Sequence, residues 1–243
     1  MLQTLTQYLL KHDVAGKRIV LREDFNVKVD GGKILSDARL KAAIPTIQQL
    51  QRAKASILLL SHLGRPTEGQ DEEQYSLAPV AVRLSKLLDT PVRFVKEWIS
   101  GVTVAPAEIV LLENVRFLKG EKANASALSK KIAVLGELFV MDAFAVAHRA
   151  QASTVGAIEY AKAAVAGPLL MAEIEALNCA LKKPKHPVVS IVGGAKVSDK
   201  VAVLENLLKI SDTLIVGGGV AITFFQANGK AGGVSLMGPG QGP

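Results

Sequence analysis

Residues 56–66 read SILLLSHLGRP. Small and aliphatic side chains follow one another without alternation, as in a strand covered on both faces of a parallel sheet. The run then stops at a serine, a histidine, a glycine and an arginine. In an open parallel sheet the carboxyl ends of the strands share one edge, and ligands bind there. This short stretch therefore predicts both a fold and the place to look for function.

The same pattern recurs at residues 18–21, 109–112, 138–141, 188–192 and 214–216. Amphipathic segments lie between most of these runs. The segment 36–53 has Asp37 near its start, and Pro45 is expected to split or kink it. The segments 76–88 and 126–137 open with Ser76 and Ser126 as expected caps, and Leu128, Ile132 and Leu135 share one face of the latter. Strand and helix in alternation predict an α/β fold: a doubly wound parallel sheet in three αβα layers, followed by the incomplete start of a second α/β domain. The expected boundaries are a first domain over 1–167, a hinge helix and connector over 168–187, and a second domain over 188–243.

The 243 residues are 49% hydrophobic, enough to bury one large core or two modest ones. A net charge of +7 favours anionic partners. Its distribution does not favour nucleic acid: the charge is scattered, aromatics are 5%, and the longest basic cluster, Lys182-Lys183-Pro184-Lys185, reads as a solvated connector. The single cysteine, Cys179, forbids an internal disulfide, fits a reducing cytoplasmic setting, and is expected to pack in a helix. The first residues carry neither a basic region nor a small-residue cleavage site, so no signal peptide is expected. The uncharged run 213–229 contains three consecutive glycines and reads as strand, loop and helix rather than a membrane span. No uncovered stripe suggests self-association, and a monomer is expected.

Four runs end in unusual polar chemistry: Arg22-Glu23-Asp24-Phe25-Asn26, then SHLGRP, then Glu113-Asn114-Val115-Arg116-Phe117, then Asp142 through Arg149. Asp37-Ala38-Arg39 opens the next helix. Two arginines about 8 Å apart at an effective dielectric near 20 repel by roughly 2 kcal/mol. A gathering of them is stable when an anion or local carboxylates neutralise it, and guanidinium grips phosphate or carboxylate through paired hydrogen bonds. Each arginine taken singly is better explained by a helix cap or a surface ion pair, and His62 alone by a structural role. Together, at one sheet edge, they predict an anion pocket. Asp24 and Asn26, two apart on an extended segment, would point the same way, as a ligand's hydroxyls require; a turn is the plainer account of the pair.

The second constellation is VGGAKVSDK at 192–200. A Gly-Gly turn lets backbone N–H groups approach a phosphate, and a helix opening near Ser198 adds its positive end. Lys196 and Lys200 are one helical turn apart. Gly217-Gly218-Gly219 again places glycine where a strand ends. Neither stretch has P-loop or dinucleotide spacing.

The stretches REDFNV, SDARLKAAIPTI, SHLGRP, LENVRF, MDAFAVAHRAQAST, VGGAKVSDK and GGGVAITF, in this order, resemble phosphoglycerate kinases from about residue 17 to about 228. The resemblance implies reversible phosphoryl transfer between 1,3-bisphosphoglycerate and ADP, giving 3-phosphoglycerate and ATP, with the magnesium nucleotide as substrate and no resident cofactor or metal. It implies that Asp24, Phe25, Asn26, Arg39, His62, Leu63, Gly64, Arg65, Arg116 and Arg149 hold phosphoglycerate. It implies that Arg39 and Lys196 stabilise the phosphoryl group in flight, and that Gly194, Ala195, Lys196, Lys200, Gly218 and Gly219 meet the nucleotide. Two positions depart from the family's pattern: Lys28 stands where proline is usual, and Ala145 where glycine is usual, with strain expected if that backbone needs positive φ. The family is also more than half again as long, and the stretch 230–243 reads as coil. An incomplete nucleotide lobe is therefore expected, and a remnant that at most binds phosphoglycerate is the alternative to an active kinase.

Overall fold

The structure, a computed structural model, describes residues 2–182, 184–195 and 197–230, without the side chain of Asp199. The chain divides into two compact units, Met1–Ile174 and Glu175 onward.

In the first unit, the strands β1 (Arg18–Arg22), β4 (Ser56–Leu60), β5 (Val92–Val95), β6 (Ile109–Leu112), β7 (Leu138–Met141) and β8 (Ala164–Ala166) form one sheet in the order β5-β6-β4-β1-β7-β8. Every pairing is parallel. Between β1 and β4 lie a small antiparallel hairpin, β2 (Val29–Asp30) and β3 (Lys33–Ile34), and the helix α2 (Ala38–Arg52). The helices α1 (Leu5–Leu9), α3 (Ala78–Leu88), α4 (Ser126–Ala133), α5 (Phe144–Ala147) and α6 (Ala157–Tyr160) complete the layers.

The unbroken apolar runs are explained by two cores. Ile19, Leu21, Ile57, Leu59, Ile109 and Leu111 face one, with Leu40, Ile47 and Leu50 of α2 and Leu84 of α3. Val20, Leu58, Leu60, Val110 and Leu112 face the other, with Leu128 and Ile132 of α4. Each such side chain contributes about 1.5–3 kcal/mol by leaving water, so both faces must be covered.

Several local expectations are corrected. Pro45 does not split α2, which runs unbroken through it. The packing of Ala43, Thr46, Ile47 and Leu50 offsets the hydrogen bond that proline cannot make. Ser76 lies two residues before α3, where its hydroxyl accepts from the Ala78 N–H, and α4 ends at Ala133 with no side-chain cap from Ser126. The edge strands β5 and β8 lacked a legible apolar run. Arg93 interrupts β5 and pairs with Glu108, and β8 is only Ala-Val-Ala.

The second unit contains a parallel pair, β9 (Val189–Gly194) and β10 (Thr213–Gly217), with α8 (Val201–Leu208) and α9 (Gly218–Ala227). The helix α7 (Pro168–Leu181) runs across the division between units. Val192, Leu204 and Val220 form the buried centre of the second unit. Val189, Ile191 and Ile215, on the opposite face of the pair, are exposed, so coverage of both faces, expected from the apolar runs, is found in the first unit and not in this one. Cys179, expected to pack, is exposed, because Leu170 alone in α7 is buried. Among the described residues no helix is long and apolar enough to cross a membrane.

Candidate functional site

Where β1, β4, β6 and β7 end, their loops and the start of α2 enclose a cavity of about 270 Å³. It is lined by Asp24 and Asn26 after β1, Arg39 in α2, His62, Gly64 and Arg65 after β4, Arg116 after β6, and Ala145, Val146 and Arg149 after β7. The structure thus brings together eight of the ten residues expected to hold phosphoglycerate. The other two, Phe25 and Leu63, are buried behind the lining and belong to the core. They sit between lining residues and set the direction of those neighbours.

The loops are tied to one another before any ligand arrives. The Ser61 hydroxyl donates to the Glu23 carbonyl at 2.8 Å and accepts from the Phe25 N–H at 2.8 Å, joining the exits of β1 and β4. The Gly64 N–H donates to Asn26 Oδ1 at 2.9 Å. Buried Asn114 donates to the carbonyls of Leu63 and Tyr75 and accepts from the Arg116 N–H. Gly64 has φ of +60°, and a Cβ there would lie 2.2 Å from the Tyr75 ring, so only glycine fits the turn. Ser61, Asn114 and Glu113, which accepts from Ser76 and Leu77, were not singled out from the sequence. Their signal was present, polar residues directly after a buried strand, but it was read as ligand contact in their neighbours only.

The electrostatics are those of an anion site. Arg39 pairs with Asp24. Arg116 is pushed below the ordinary arginine range, first by burial and then by Arg149 and Arg65. His62 is lowered to about 2, first by burial and then by Arg22, Arg116, Arg149 and Arg39, so its ring is neutral at physiological pH. The repulsion among these cations is relieved by any ligand carrying negative charge. Ala145 lies inside α5 without positive φ, so the strain expected of it is absent, and its methyl group lines the cavity.

In the second unit the ends of β9 and β10 converge. Gly194 and Gly218 form a parallel bridge, and the Lys200 side chain lies against Gly194, where a Cβ would meet its Cε at 2.5 Å. A Cβ on Gly219 would lie 2.4 Å from the Ala195 carbonyl oxygen, a backbone contact that no rotamer relieves. Gly194, Ala195, Lys200, Gly218 and Gly219 are therefore neighbours. Lys196 lies outside the described residues.

Comparison with known proteins agrees with this geometry. The family model for phosphoglycerate kinase matches residues 9–241. Phosphoglycerate kinases of the Paris and Corby strains of Legionella pneumophila are 57% and 56% identical over 227 residues, covering 93% of this chain and 57% of those relatives. The structure of phosphoglycerate kinase from Coxiella burnetii superposes with a TM-score of 0.85 at 50% identity, over 98% of this chain and 60% of that one. The enzyme from Pyrococcus horikoshii gives 0.80 at 34% identity, over 92% and 58%. This chain spans a little under three fifths of the length of the curated relatives it matches.

Proposed function

The chain belongs to the phosphoglycerate kinase family, and on that premise we propose that its strand-end cavity holds phosphoglycerate for phosphoryl transfer between 1,3-bisphosphoglycerate and ADP. In the reaction an oxygen of the ADP β-phosphate attacks the acyl phosphate. The bond from phosphorus to the carboxyl oxygen breaks, and 3-phosphoglycerate and MgATP are formed. No side chain need act as nucleophile; the protein positions two substrates and neutralises charge on the moving oxygens.

The observation that carries this reading is the cavity itself, where four arginines and a histidine converge from three loops and the start of α2 around a volume suited to a three-carbon phosphorylated acid. Arg116, Arg149, Arg65 and His62 would hold the phosphate and carboxylate, and Asp24 and Asn26 the hydroxyl. Arg39 would reach the transferring group together with Lys196. Gly194, Ala195, Lys200, Gly218 and Gly219 would receive the nucleotide phosphates through backbone N–H groups and one ammonium. The first unit would serve as the phosphoglycerate domain, and the second as the nucleotide domain.

Titration of the 243-residue chain with 3-phosphoglycerate by calorimetry tests the reading. Binding is expected, with Arg65→Ala weakening it about tenfold, the loss of one charge-assisted contact. Equal affinities in wild type and variant would remove Arg65 from the site. A second reading, binding without turnover, is favoured by one observation: all residues of the cavity belong to the first unit, whereas the strand pair of the second has an exposed apolar face. A coupled assay of ATP formation separates the two.

A further inference from the structure

Behind the cavity lies a buried polar chain that the substrate would never touch. Glu121, fully buried, accepts from the Ser153 hydroxyl at 2.5 Å and from the Ser153 N–H at 3.0 Å. The Ser153 oxygen accepts from Arg22 Nε at 3.1 Å, and Arg22 Nη1 donates to the Glu23 carbonyl at 2.5 Å. Arg22 Nη2 lies 3.3 Å from Nδ1 of His62. A guanidinium has donors only, so at this contact Nδ1 must be the acceptor and carries no proton. The ring's one N–H is then at Nε2.

We propose that Arg22, locked by Ser153 and Glu121, is a positioning residue that holds His62 as a neutral Nε2–H donor, so that His62 offers the ligand a hydrogen bond rather than a charge. The inference rests on the phosphoglycerate reading for the ligand but not for the state of the ring. Arg22, lowered to about 10 first by burial, is still a cation at neutral pH. After burial, Arg22 in β1, Arg116 after β6, Arg149 after α5 and Arg39 in α2 oppose its protonation. Arg65 and Asp24 line the same cavity, and the Asp24 carboxylate, which alone would favour a charged ring, is paired with Arg39. Phosphoglycerate then binds without proton uptake by the histidine, and the site's affinity is insulated from cytoplasmic acidification at this residue.

Long-range ¹H–¹⁵N spectra of the full chain, with the His62 signal assigned by its loss in His62→Gln, read the ring directly and without ligand. A protonated Nε2, a bare Nδ1 and no titration between pH 8 and pH 5 are expected. An Nδ1–H tautomer, or an imidazolium appearing in that range, overturns the proposal. Arg22→Met is expected to release Nδ1, so that rings with the proton on Nδ1 appear, whereas Arg22→Lys, which keeps a donor, is expected to hold the Nε2–H form. Burial and the other arginines keep the ring neutral in both. A ring that stays wholly in the Nε2–H form in Arg22→Met overturns the role of Arg22. Should that variant not fold, Ser153→Ala, which only loosens Arg22, is expected to give a smaller population of the Nδ1–H form, and none there is likewise fatal. With 3-phosphoglycerate, Arg22→Met is expected to bind about tenfold more weakly than wild type, and Arg22→Lys, which keeps the Nε2–H form, to recover most of that loss. A lysine variant as weak as the methionine one marks a merely structural residue. The expected ring state without 3-phosphoglycerate binding would instead retire the phosphoglycerate reading alone.

Discussion

The two units place glycines and cations at the carboxyl ends of parallel strands, but they build those ends differently. In the first unit the sheet is sandwiched between two cores, and the loops are cross-tied by buried side chains such as Ser61 and Asn114. Side chains present the charge there. In the second unit one face of the strand pair is covered, and the expected contacts are backbone N–H groups at Gly194 and Gly218, with Lys200 beside them. A site read by side chains needs a rigid, satisfied scaffold to aim them. A site read by backbone needs glycine and close approach, and asks less of the core beneath it.

The sharpest way to break this contrast is at Asn114. Asn114→Ala leaves the carbonyls of Leu63 and Tyr75 and the Arg116 N–H without their partner. The expected loss is roughly 3 kcal/mol, confined to the first unit. Trp98, the single tryptophan, is buried there with its N–H donating to the Glu113 carbonyl, so its fluorescence reports that unit's unfolding in urea. An unshifted midpoint would show that the loops need no such tie.

A matched pair of glycine substitutions comes next. Gly64→Ala forces a methyl group against the Tyr75 ring at positive φ, and Gly219→Ala forces one against the Ala195 carbonyl. Each is expected to cost about 1–3 kcal/mol. The first should shift the Trp98 transition and weaken 3-phosphoglycerate. The second should leave both alone and raise hydrogen exchange across residues 189–227. Crossed effects would show that the two sites do not belong to separate units.

How much of this was legible beforehand follows the same division. Strands with Ile-Leu-Val runs announced themselves because burial on both faces leaves no room for polar alternation. The charged pocket was legible because arginines after such runs have one edge to share. Strand β5, half exposed and carrying Arg93, and strand β8, three small residues long, gave no such signal. Pro45 misled because its local rule ignores the packing of its neighbours on α2. Arg22 was visible as a residue after a strand, but its burial, and so its work on His62 rather than on the ligand, depends on Ser153, 131 residues away.

The finest expected effect concerns pH. Glu23 is buried beside Asp142, and no donor reaches its two carboxyl oxygens. Burial first, and then the Asp142 carboxylate, push it well above the ordinary glutamate range. The native state therefore keeps a proton that the unfolded chain releases above about pH 4.5, so this group's contribution to stability falls as pH rises through that value toward the native one. His62 acts with the opposite sign: the unfolded ring takes up a proton below about pH 6.5 and the native ring does not, so its contribution rises with pH. Wild-type stability mixes these slopes with those of Glu121 and Asp142, both also raised first by burial. Glu23→Gln mimics the protonated acid and removes only the slope that Glu23 itself contributes. The Trp98 urea midpoint of the variant should therefore gain on that of the wild type from pH 5 to pH 7. The second unit supplies the control, because Asp212 is lowered, chiefly by the Val188 N–H, and the stability it lends is lost only as pH falls below the ordinary aspartate range. Parallel midpoints for wild type and Glu23→Gln would mean that Glu23 is ionised in the folded protein, and that the buried cations behind the pocket neutralise it after all.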